Sequence, residues 1–136
     1  MRCLYRINLI VAAALLLTSC DNRVNVAIEP TPVKIVAEEA GRGRPVRHGD
    51  LTTISYRLML PNGKELLHDP EFKFFVDTKQ PTVIQGINDT VIGMRVGGTR
   101  TIDCPPRLHW GRLGSGDGAI PPNTNLTIHI KLLALE

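Results

Sequence analysis

The side chains of this 136-residue chain with the types and setting to do chemistry gather between residues 83 and 120. Trp110, its one tryptophan, stands in a glycine-rich loop running from Pro105-Pro106 to Pro121-Pro122. A lone tryptophan there has little reason to be core, and it is read as a binding residue. The common catalytic arrangements are not visible. Ser115 has no G-x-S-x-G setting, and the run 114–118 lacks the Lys-Ser/Thr of a phosphate loop. His48, His68, His109 and His129 show no paired metal-ligand spacing, so they read as surface histidines, with no metal and no cofactor expected. Cys104, at a strand end, reads as a buried, inert thiol. What is left is an apolar site of scattered aromatic and aliphatic residues, which by pattern alone looks like a core.

These residues need elements to position them. Val83-Ile84-Gln85-Gly86-Ile87 leads into a helix near 85–94, with Ile87, Val91 and Met94 at i, i+4 and i+7. Gly97-Gly98 is expected to end it. Residues 99–104 read as a strand stopped by Pro105-Pro106, and 123–136 as the last strand. Upstream, 51–60 alternates to put Ile54, Tyr56, Leu58 and Leu60 on one face. Pro61-Asn62-Gly63-Lys64 is a tight turn whose Asn-Gly tolerates positive φ at both central positions. Residues 72–76 form an aromatic strand, and 33–36 begin the sheet. Phe74, Phe75, Val91 and Met94 read as core, and the charged segment 38–44 as a solvated loop.

Taken in order, these motifs resemble one family. Gly49-Asp50 before a long strand, V-I-x-G at 83–86, Gly93-Met94-x-Val96-Gly97-Gly98, Pro105-Pro106 followed by an aromatic-Gly at 110–111, Ile120-Pro121-Pro122 and a terminal L-L-x-L-E are similar to the FKBP-type peptidyl-prolyl isomerases. The resemblance covers the last two thirds of the chain. It implies an α+β fold: a bent antiparallel sheet of about five strands wrapped around one short helix, with a pocket between them.

The resemblance also implies an activity. Rotation about an X–Pro amide takes tens to hundreds of seconds, because the bond has partial double character. Accelerating it needs only a dry pocket that fits the twisted amide better than the planar one, each ~1.4 kcal/mol of preference giving tenfold in rate. By position, Tyr56, Phe72, Val83, Ile84 and Trp110 correspond to the family's catalytic residues, the Ile84 backbone N–H holding a substrate carbonyl. Leu66, Asp69, Ile87, Ile120 and Ile128 correspond to substrate-binding positions. Four of these positions depart from the family. Ile87 replaces a tryptophan floor, Ile128 a phenylalanine, Leu66-Leu67 a Phe-Asp pair, and Trp110 a tyrosine. Asp69 is the candidate to replace the lost carboxylate. The chain holds six aromatic residues in all, so the cup is mostly aliphatic and a weak isomerase is expected. The alternative is an inactive module of the same fold that binds proline-containing or apolar segments as a chaperone.

The N-terminus is a separate object. Arg2 and Arg6 precede an apolar run at 7–17, and Leu17-Thr18-Ser19-Cys20 looks like a bacterial lipobox. The expectation is a lipoprotein signal at 1–19, then lipidated Cys20 with a tether to 32 (Pro30 and Pro32 interrupt it), and a domain at 33–136. Asp21 resembles an inner-membrane retention signal. That places the chain in the cell envelope, lipid-anchored, extracytoplasmic and monomeric, with proline-containing polypeptides as its clients. Without 1–19, fourteen basic residues face thirteen acidic ones, and no basic stripe is interleaved with aromatics, so no nucleic-acid partner is expected. Cys104 would be the one free thiol of the mature chain, with no intrachain disulfide.

Overall fold

In a computed structural model the described residues are 33–136. The expected signal at 1–19, Cys20 and the expected tether to 32 lie outside them. Five strands and one helix follow the chain: β1 Lys34–Glu39, β2 Leu51–Met59, β3 Glu65–Phe75, α1 Gln85–Val91, β4 Thr99–Cys104 and β5 Leu126–Leu135. The strands form one antiparallel sheet in the order β1-β4-β5-β2-β3. Alternation decides which face is buried. Ile54, Tyr56 and Leu58 of β2, Ile102 and Cys104 of β4, and Leu126, Ile128, Ile130 and Leu132 of β5 all point inward. Helix α1 covers that face with Ile87 and Val91, which are almost fully buried. No described helix is long and apolar enough to cross a membrane.

Several expected boundaries move, each for a local reason. The helix ends at Val91 rather than near 94, because Ile92 turns to extended backbone and Gly93 takes φ +80°. Arg100, from β4, donates to the carbonyls of Thr90 at 2.6 Å and Ile92 at 2.9 Å. A cation thus satisfies the helix C-terminus, where the carbonyls lack intrahelical partners. Its guanidinium also pairs with Glu38 at 2.8 Å. At the hairpin only Gly63 has positive φ; Asn62 does not. The Gly63 N–H donates to the Leu60 carbonyl and the Leu60 N–H to that of Lys64, both at 2.9 Å. This is a turn with glycine at its left-handed position, not a two-residue Asn-Gly turn. Strand β3 starts at Glu65, seven residues before the expected aromatic segment, and a bulge between Ile54 and Tyr56 lets it keep pairing with β2.

Two other expectations are corrected. Phe75 is exposed, because it follows core-facing Phe74 on an alternating strand. Residues 38–44 are not one solvated loop: Glu38 and Glu39 belong to β1, and Gly41 lies against the backbone of 95–98. Cys104 is fully buried, and burial pushes its thiol up to about 12, so it is inert at neutral pH.

Candidate functional site

The Trp110 loop is built by local hydrogen bonds. A 3-10 turn at Pro106–Leu108 begins it, with Pro105 and Pro106 supplying a preset φ. The Gly111 N–H donates to Pro106 O at 2.8 Å, and the Asn123 N–H to Gly111 O at 3.0 Å, which closes the neck. An inner turn then forms at Ser115. Its N–H donates to Ile120 O at 3.0 Å, its hydroxyl accepts from the Ile120 N–H at 2.8 Å, and the hydroxyl donates to the Asp117 carboxylate at 2.5 Å. The Ala119 N–H also donates to Asp117 at 3.1 Å. The hydroxyl and this N–H hold the Asp117 carboxyl below its ordinary value, hydroxyl first. Ile120 is thereby held inward and buried, while Trp110 is left 38% exposed.

Trp110, Ala119 and Ile120 face Leu58, Leu66 and Leu67 across a recess of about 170 Å³, with Ser115 and Asp117 at its wall. The sheet supplies the leucines, because Leu58 of β2 lies opposite Leu67 of β3. Three of the residues singled out in the sequence, Leu66, Trp110 and Ile120, therefore meet around one concavity. Tyr56 and Phe72 do not line it. They form their own group, with ring centroids 5.7 Å apart at 79°, and Phe72 lies 5.7 Å from Phe74. This group abuts the recess through Leu58, two residues from Tyr56 on the same face of β2.

Asp69 is the Cα partner of Tyr56 across the β2–β3 pair, a consequence of the bulge. Directly opposed residues share a face, so the carboxylate stands beside the phenol. Burial first, and then the Asp69 charge, raise the Tyr56 hydroxyl above its ordinary value, so it stays a neutral donor. Ile84 caps α1, its carbonyl accepting from the N–H groups of Ile87 at 3.0 Å and Asn88 at 3.2 Å. Its own N–H has no partner among the described residues. Val83 and Ile84 are half-buried against the core. Ile87 and Ile128 are buried to 1% and 0% exposure, so they support the site from beneath and do not present a contact surface.

Residues 42–133 match the family described as FKBP-type peptidyl-prolyl cis-trans isomerase. The chain belongs to that family. It is 33% identical over 108 residues to the peptidyl-prolyl cis-trans isomerase FKBP1A of Xenopus laevis, covering 76% of this chain and 96% of that one. It is 34% identical over 108 residues to the 39 kDa FK506-binding nuclear protein of Drosophila melanogaster, covering 76% of this chain. The match spans only 29% of that protein's length. Among solved structures, a peptidyl-prolyl cis-trans isomerase of Pseudomonas syringae superposes with a TM-score of 0.64 at 25% identity, covering 76% of this chain and 74% of that one. The bent five-stranded sheet with one short helix is thus the FKBP fold.

One residue of this FKBP site escaped sequence reading. His109 is not a surface histidine: both ring nitrogens are buried and neither makes a hydrogen bond of ordinary geometry. Its ring packs 5.9 Å from the Trp110 ring. Burial lowers its pKa, and the nearby backbone of Thr124 and Cys104 offsets this only in part. A histidine whose folded pKa is depressed stabilises the fold fully above its unfolded pKa, ~6.5, and loses that contribution as pH falls from there towards the folded value. The Trp110 loop is therefore expected to loosen below about pH 6.5. The chain's one tryptophan reports this directly: its emission should shift to the red on acidification, and His109→Gln should flatten the change. An identical acid response in His109→Gln would assign it to another group.

Proposed function

We propose that this chain is a membrane-tethered peptidyl-prolyl cis-trans isomerase of modest rate, acting on proline-containing segments of extracytoplasmic proteins. The observation that carries this reading is the half-exposed Trp110 indole held over an apolar recess by a hydrogen-bonded loop. An apolar ring seated in the recess displaces its water, which weakens the charge-separated planar amide relative to the twisted one. Two donors without partners among the described residues, the Ile84 N–H and the Trp110 indole N–H, are available to substrate carbonyls. Neither step needs a proton transfer. The modest rate follows from Leu58, Leu66, Leu67 and Ile120, since aliphatic walls hold a proline ring without the stacking an aromatic cup adds. The tether rests on Leu17-Thr18-Ser19-Cys20. A Cys20→Ala chain should leave the membrane fraction for the soluble one, and retention there would sink the lipid anchor.

The catalytic part is tested with Leu-Pro and Phe-Pro peptides. Wild type should accelerate isomerisation, and Trp110→Ala should lower kcat/KM by about tenfold or more, the equivalent of ~1.4 kcal/mol at the transition state. Trp110 is exposed enough that its removal leaves the core intact. No acceleration by folded wild type, together with Trp110-dependent binding of the same peptides, would establish the second reading, a peptide-binding module. The aliphatic lining of the recess favours that outcome over a fast enzyme.

A further inference from the structure

A second concavity lies on the opposite face of the sheet, turned away from the helix and the Trp110 loop. It measures about 320 Å³, and its side-chain walls are Ser55, Arg57, Thr99, Thr101, His129 and Lys131. These residues alternate with the buried ones along β2, β4 and β5, which is why all six project to one side. The register arranges them in two rungs. Arg57 pairs with His129 and His129 with Thr101; Ser55 pairs with Lys131 and Lys131 with Thr99. Arg57 and Lys131 are thus diagonal neighbours, roughly 7–8 Å apart at the backbone and well within reach of one another's long side chains.

Two cations set diagonally on adjacent strands repel each other unless an anion lies between them. Among the described residues no carboxylate pairs with either cation. The ion pairs among the described residues are Arg44–Asp50, His48–Asp77, Lys73–Glu136 and Arg100–Glu38, and none involves Arg57 or Lys131. Around the cations stand three hydroxyls, of which those of Ser55 and Thr99 have no partner among the described residues and can donate to an anion. Thr101 Oγ1 is hydrogen-bonded to His129 Nδ1 at 2.7 Å, which fixes the imidazole and leaves Nε2 for another partner. Arginine's planar fork matches two oxygens of a tetrahedral oxyanion, lysine adds a point charge, and hydroxyls complete the shell.

We propose that this groove binds a phosphate group, held by Arg57 and Lys131 and by the hydroxyls of Ser55 and Thr99. The proposal is independent of the isomerase reading, because no residue of the groove side chains enters the Trp110 recess. A free phosphate and a lipid headgroup carry the same chemistry, and the test separates them. Amide spectra of the full chain in neutral detergent micelles are recorded while inorganic phosphate is added at constant ionic strength, with chloride as the reference. The same chain is then compared in bilayer discs of phosphatidylcholine alone and with added phosphatidylglycerol.

Saturable shifts confined to residues 55–57, 99–101 and 129–131 are expected. Arg57→Gln/Lys131→Gln should weaken the apparent affinity by about tenfold or more, as loss of charge-assisted hydrogen bonds requires. Lys64→Gln, in the exposed hairpin, should not. All these side chains are on the polar face, so an unchanged thermal transition will show that the variants fold. A response to inorganic phosphate without one to phosphatidylglycerol assigns a soluble ligand. The reverse, or both together, assigns a membrane headgroup. Shifts spread over every basic side chain, or equal in the double variant and wild type, would overturn the proposal.

Discussion

A Gly114→Ala chain is expected to keep its sheet and lose its recess. Gly114 has φ +72°, and a Cβ there would stand 2.3 Å from the Ile120 carbonyl oxygen and 3.0 Å from Pro121 and Pro122 backbone atoms. Left-handed backbone costs alanine about 1–2 kcal/mol, and the forced contact about 1–3 more. What resists is the pair of hydrogen bonds between Ser115 and Ile120, together about 1–3 kcal/mol for neutral partners. The strain matches or exceeds the restraint, so the inner turn opens and Ile120 leaves its place beside Trp110 and opposite Leu66. Peptidyl-prolyl isomerase activity should fall at least as far as in Trp110→Ala, and Trp110 emission should shift to the red. Far-ultraviolet circular dichroism should barely change. Wild-type emission and activity in this variant would show that the loop tolerates the contact and that the recess does not depend on it.

Gly41→Ala is expected to strike the fold itself. A Cβ at Gly41 would lie 2.2 Å from Arg95 O, 2.4 Å from Val96 O and 2.5 Å from Gly98 N. All three are backbone atoms, and the turn that carries them has nowhere to move. The Gly97 N–H donates to Leu132 O at 2.8 Å and the Leu132 N–H to Gly98 O at 3.0 Å, which pins the turn to β5. On the near side the Arg42 N–H holds Val96 O at 2.9 Å. The cost belongs at the top of the overpacking range, about 3 kcal/mol or more, against a total stability of about 5–15 kcal/mol. For a domain of this size that lowers Tm by roughly 12–24 °C. Gly43→Ala is the comparison, since Gly43 has φ +89° and nothing within 4 Å of its Cβ. It should cost only the backbone strain, about 1–2 kcal/mol. Equal Tm values for the two variants would mean that the backbone at 95–98 yields to the added Cβ and that the contact does not set the requirement for glycine at Gly41.

Gly41 also shows where sequence reading stops. Beside Arg42, Gly43 and Arg44 it looks like part of a solvated charged loop, because composition reports polarity and not what a residue faces. The need for a missing side chain arises from a turn more than fifty residues away. Arg100 is a similar case. Its position on β4 is legible from the strand pattern, but its capping of α1 depends on how the helix lies across the sheet. His109 was misread for the same reason: a histidine in a glycine-rich loop looks solvated until the loop folds back over the end of β4. Asp69 was placed near the site only as a substitute for a lost carboxylate. What sets it beside Tyr56 is a bulge, an insertion in register that no local pattern announces.

Local physics was enough for the rest. Period-two alternation at 51–58 and 126–132 determined the core face of β2 and β5, because a strand buried on one face must alternate. The i, i+4 spacing of Ile87 and Val91 determined the helix face, and Pro105-Pro106 the end of β4. The order of motifs from Gly49 to Glu136 determined the family, since several unrelated signals in one order seldom coincide. The tertiary structure alone decided which candidates meet. Leu66, Trp110 and Ile120 surround one recess, Tyr56 and Phe72 meet edge to face beside it, and Ile87 and Ile128 lie beneath. A binding site is an arrangement of side chains distant in sequence, and its shape is set by strand register and loop closure, which are properties of the folded chain.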